Sequence, residues 1–136
     1  MTTLLGFDFG TAKIGIAVGQ SITGTATPLV TLRGTQQRPD WDGISRLIAA
    51  WQPSALVVGL PCDIDGGETE IAVQAKRFAR QLEGRYHLPV HMIDERLTSM
   101  EARQRLQRRP RQIETLDAIA ASLILETWFS VSHAHE

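Results

Sequence analysis

Hydrophobic positions recur with period two through roughly the first thirty residues and with helical period afterwards. Leu5, Phe7 and Phe9 share one face of a first strand over 4–9, which leaves Gly6 and Asp8 on the other. Gly10 to Lys13 makes a tight turn. Ile14, Ile16 and Val18 then alternate with Gly15, Ala17 and Gly19 in a second strand, whose small-residue face leaves room for something to approach closely. Past a turn at Gly24, residues 26–32 form a third strand, and Pro28 predicts an edge position for it. Three strands joined by short turns imply an antiparallel meander.

Trp41, Ile44, Leu47, Ile48 and Trp51 mark a helix, with Asp40 as N-cap and Gln52-Pro53 as its stop. Ala55 to Gly59 is continuously apolar, which predicts a strand covered on both faces. After a loop at 65–67, Ile71, Ala75, Phe78 and Leu82 stripe a second helix, with Gly84 as its expected stop. Residues 89–93 form a fifth strand. Thr98 and Glu101 have capping-box spacing at the start of an arginine-rich helix. A last helix over 115–129 is apolar almost all round and therefore buried, with 130–136 a frayed tail. The expected class is α/β: a mixed five-stranded sheet, three antiparallel strands then two parallel, with helices on both faces, as one domain over 1–136.

Composition narrows this picture. At 136 residues, 43% hydrophobic and 21% charged, the chain can bury a core without staples. No apolar run approaches the length of a membrane span, and the N-terminus lacks the features of a signal peptide. The lone Cys62 excludes an intrachain disulfide and a cysteine zinc site, so a cytoplasmic location is expected. A net charge of −1 advertises no polyanion partner, but seven arginines stand between 85 and 111 against the acids Asp94, Glu95 and Glu101. That asymmetry fits either a nucleic-acid footprint or a solvated helix face.

The chemistry starts at Asp8, an acid in the interior of an apolar strand. Strands are depleted in Asp, and a buried unpaired carboxylate is costly, so a cation is expected against it. The alternative is an Asp that caps the Gly10-Thr11 turn. Ligands of such sheets sit at the carboxyl ends of the parallel strands. That rule maps Asp8, Glu95 and Asp117 to one edge, although Glu95 could equally pair with a nearby arginine and Asp117 cap the last helix. Three converging carboxylates would raise one another's pKa values unless a divalent cation neutralised them, and all-oxygen ligation suits Mg²⁺ or Mn²⁺. No histidine pair has metal-ligand spacing.

Asp8 to Thr11 with Lys13, Ile14, Gly15 and Ala17, then Val58 to Pro61, Asp65-Gly66, Asp94 to Ser99 and Asp117 to Ala121, together resemble the YqgF family, also called RuvX-type. The match covers nearly the whole chain, in order. The resemblance implies a ribonuclease H-like fold, an acidic triad of Asp8, Glu95 and Asp117, and an endonuclease that matures the 5′ end of 16S ribosomal RNA. Some relatives are described as Holliday-junction resolvase-like. The chain departs from the family pattern at Gln20, where many relatives carry aspartate. It departs again between Glu101 and Asp117, a segment that is short and lacks a lysine-glycine-lysine-like element. The expected reaction is Mg²⁺-dependent phosphodiester hydrolysis at the triad, with Lys13, Arg96 and Arg103 gripping flanking phosphates and Thr11 and Thr98 offering hydroxyls. The competing readings are a DNA resolvase, which needs a dimer for paired cuts, an RNA-binding assembly factor without catalysis, and an ATP-binding module of the actin and sugar-kinase type. The last needs a second lobe for which 136 residues leave no space.

Overall fold

A computed structural model describes residues 2–36, 38–61, 69–95 and 113–133. Its strands are β1 (Thr3–Asp8), β2 (Lys13–Gln20), β3 (Thr25–Arg33), β4 (Ala55–Leu60) and β5 (Val90–Asp94), and its helices α1 (Trp41–Trp51), α2 (Glu70–Tyr86) and α3 (Ile113–His133). They form one sheet in the order β3-β2-β1-β4-β5. β1–β2 and β2–β3 pair antiparallel, β1–β4 and β4–β5 parallel. β1 is central and β3, with Pro28, is an edge, both as the pattern predicts. The β2–β3 register slips between Ile16 and Ala17, the residue that faces Pro28.

Alternation decides which side of the sheet each helix covers. Leu5, Phe7, Ile14, Ile16, Val18, Leu56 and Val58 project to one side, where Ile44 of α1 and Phe78 and Leu82 of α2 close a core. Phe78 meets Phe7 edge-on at 5.7 Å. On the other side, Leu4, Ala17 and Val57 pack against Ala121, Ile124, Leu125 and Phe129 of α3. This is the small-residue face, and α3 is what approaches it. A Cβ on Gly6 would lie 2.5 Å from Leu125, and one on Gly19 2.8 Å from Phe129. Gly6 is therefore a packing residue, absent a side chain so that the helix can lie close.

Several boundaries differ from expectation. Asp8 ends β1 instead of sitting within it, and Phe9 lies beyond the strand yet still stacks on Phe78 at 5.1 Å. α2 runs through Gly84 and stops at His87, whose φ of 56° turns the chain left-handed while its N–H donates to the Glu83 carbonyl. α3 runs on to His133 because Val131, past Phe129, still packs on the second core. The helix start is earlier than expected as well, at Ile113. α1 begins and ends as the caps predict: Asp40 accepts from the Gly43 N–H at 3.0 Å, and Gln52 is left-handed at φ 47°. The arginine-rich helix and its capping box lie outside the described residues.

Candidate active site

Three elements bring the acids together. Asp8 stands at the carboxyl end of β1, directly across from Gly15 of β2. Gly15 has no side chain for a specific reason: a Cβ there would fall 2.0 Å from the Asp117 carbonyl oxygen. The first turns of α3 thus rest on β2 at the residue beside Asp8. Glu95 follows β5 immediately. A Cβ on Gly59 of β4 would meet its Oε1 at 2.8 Å, so this carboxylate lies back over β4 toward the centre of the sheet.

The result is a crowded, partly desolvated set of carboxylates. Asp8 is pushed up from 3.8 to about 8, first by burial, then by the charge of Glu95 and a hydrogen bond with it, and then by the charge of Asp117. Burial and the neighbouring carboxylates thus favour the protonated form of Asp8 at neutral pH. Lys13 works in the opposite direction on Asp8. Its Nζ lies 3.0 Å from Asp117 Oδ2, with the two side chains 27% and 24% exposed.

That pair supplies a basic side chain beside the acids, one of the forms the cation expected against Asp8 could take. Lys13 belongs to β2 on the face of Gly15, which points it at α3. The pairing leaves a gap in hydrogen bonding. Asp117 Oδ2 is buried and takes no well-aligned hydrogen bond among the described residues, the ammonium lying near it off the angles of one.

Among the described residues no three His, Cys, Asp or Glu side chains stand in metal-holding positions. The donor set nonetheless fits a hard cation: three carboxylates, no nitrogen or sulfur, and one buried oxygen lacking a hydrogen bond.

Thr11 is exposed in the β1–β2 turn and lines, with Lys13, a cleft of about 410 Å³. Arg96, Thr98 and Arg103 lie outside the described residues. Gly15 and Gly59, which seat Asp117 and Glu95, escape a reading based on reactive groups. The signals for them are the run of small residues Gly15, Ala17 and Gly19 and the presence of both glycines in the family-like motifs.

The model of the RuvX family, described as Holliday junction resolvase, matches residues 2–131. The chain belongs to this family. A RuvX relative from Methylococcus capsulatus, named "Putative pre-16S rRNA nuclease", is 53% identical over 97% of this chain and 91% of its own length. One of the same name from Pseudomonas putida is 48% identical over 95% of each chain. Among solved structures, Thermus thermophilus RuvC in complex with a Holliday junction substrate superposes with a TM-score of 0.62 at 17% identity, covering 98% of this chain and 97% of that one. The likeness establishes the fold, ribonuclease H-like as the sequence resemblance implies.

Proposed function

We propose that this chain is a divalent-metal-dependent endonuclease that hydrolyses a phosphodiester bond in 5′-end maturation of pre-16S rRNA. One observation carries the chemistry. Asp8 is buried at the carboxyl edge of a sheet against Glu95 and near Asp117, and burial first, then those two acids, push its pKa up to about 8. A cluster this unfavourable makes little sense for stability and good sense as a cation site. The rRNA assignment is supported by relatives of about half identity that carry that name.

Asp8, Glu95 and Asp117 would hold the cation, Mg²⁺ or Mn²⁺, which when bound supplies an activated water and neutralises charge on the scissile phosphate. The chain's own part is to make room for it. Asp8 would serve as a ligand in its ionised form, and Lys13, held beside Asp117, is placed to meet a phosphate oxygen of the substrate. Arg96 and Arg103 with Thr98 follow Glu95 in sequence and are proposed as further phosphate contacts, with Thr11 at the turn. No described helix is long and apolar enough to cross a membrane, and a cytoplasmic site of action is proposed.

The test incubates purified protein with precursor 16S rRNA and with a synthetic four-way junction, in Mg²⁺ and in Mn²⁺. Wild type is expected to cut the rRNA and Asp8→Asn to cut nothing, while its melting transition stays at or above that of wild type. Cleavage retained by a nuclease-free preparation of Asp8→Asn would sink the proposal. The second reading, a DNA resolvase, is favoured by the family description. It requires paired symmetric cuts in the junction and a dimer to make them. RNA binding that ignores both Mg²⁺ and the Asp8 substitution would instead point to an assembly factor.

A further inference from the structure

The cleft behind the Gly10–Lys13 turn has a composition that the acid site does not explain. Its volume of about 410 Å³ suits one small ligand. Arg38, Arg77 and Arg85 converge on it with the amides of Gln74 and Gln81, and no acid is among its lining residues. Positions 74, 77, 81 and 85 form a single stripe of α2. A merely solvated face of this helix would mix signs, yet its acids Glu70 and Glu83 stay off the cleft. Arg85 is also held in place, its guanidinium 4.0 Å over the Trp41 ring. A planar cation fixed on an aromatic ring offers a platform on which a nucleobase can stack, while free guanidiniums and amides receive a phosphate. The cleft and the acid cluster meet at Lys13, which lines the one and pairs with Asp117 in the other.

We propose that this cleft takes one unpaired nucleotide of the substrate strand next to the scissile bond, its phosphate on Arg77 and Arg38 and its base on the Arg85–Trp41 stack. The proposal rests on the nuclease reading for the identity of the strand. Recognition here is of an unpaired base, because a paired base has both faces covered by its neighbours.

Binding of the full chain is measured by fluorescence anisotropy in EDTA, so that no cleavage intrudes. The probes are a blunt RNA duplex, the same duplex with a single-stranded extension, and adenosine monophosphate as competitor. Wild type is expected to prefer the extended probe. Arg77→Gln and Arg85→Ala, both exposed helix positions, are each expected to lose about tenfold on the extended probe with little change on the blunt one. Equal losses on both probes would reduce the cleft to general electrostatics and overturn the proposal, as would no loss at all. Adenosine monophosphate binding as tightly as the extended RNA would make this a free-nucleotide site and overturn it too. The two readings fail separately. If wild type never cleaves yet the extension preference and its loss hold, the cleft stands and the nuclease falls. If Asp8→Asn abolishes cleavage while the cleft variants bind normally, the nuclease stands alone.

Discussion

Gly15 governs the site without touching any chemistry. The backbone of Asp117 occupies the space where its side chain would be, with the carbonyl oxygen 2.0 Å from an added Cβ and the Ala118 nitrogen 2.8 Å from it. Backbone atoms at a helix start cannot step aside as a side-chain tip can. Gly15→Ala is therefore expected to lift α3 off β2 and to destabilise the fold by about 2 kcal/mol or more, in the range of core overpacking. It should also cut cleavage well below the melting temperature, since Asp117 leaves Asp8. Gly24→Ala is the control. Gly24 has a φ of 68° with nothing within 4 Å, so the change costs about 1 kcal/mol of backbone strain and spares activity. Urea unfolding and initial cleavage rates on both variants check this, and wild-type stability in Gly15→Ala would refute the close approach. Lys13 shows the complementary point, that a residue type in a motif does not disclose its partner. Only its position on β2, facing α3, puts it on Asp117 before any phosphate arrives.

At the scale of elements, α2 shows how tertiary contacts override a local stop signal. Glycine after an apolar stripe reads as punctuation, yet Tyr86 beyond it meets the Ser45 hydroxyl at 2.8 Å and packs at a tilt against Trp41, ring centroids 6.4 Å apart, which draws the helix on past Gly84. Gly84 is thus an exposed interior glycine with open space around it. Gly84→Ala is expected to stabilise the protein by about 0.5–1 kcal/mol, the difference in helix propensity, measured as a raised urea midpoint at unchanged slope. A loss of stability would mean that the helix ends there after all. The same logic explains what else was legible. Strand order, the edge position of β3, the helix-covered faces and the α1 caps follow from periodicity and capping chemistry, which are local. The convergence of Asp8, Glu95 and Asp117 follows from topology, which is nearly so. The Lys13 pairing, the extension of α3 to Val131 and beyond, and the basic cleft depend on which side chains meet across elements, and no local pattern encodes that.

For the molecule as a whole, placing three acids on one sheet edge sets cation binding against stability. The Asp8 carboxyl has a folded-state pKa of about 8 against an ordinary 3.8, so the folded chain holds a proton that the unfolded chain releases. The sign follows from linkage: this group's contribution is fully present below about pH 3.8 and is lost as pH rises toward about 8. Asp8→Asn removes the ionisable group. In EDTA the melting temperature of wild type should therefore fall behind that of Asp8→Asn across this window, with the gap levelling off above about pH 8. A divalent ion reverses the trend, because the ion and the proton compete for the same oxygens. Added Mg²⁺ should stabilise wild type by the mass-action amount for its concentration, more strongly as pH rises, and Asp8→Asn much less. Melting curves of both proteins at matched ionic strength, from about pH 4 to about pH 8, with EDTA and with Mg²⁺, separate the two effects. Parallel curves in EDTA would show that Asp8 carries no extra proton in the folded state. A Mg²⁺ response equal in both proteins would show that the ion binds away from Asp8, and the acid cluster would then need a different explanation.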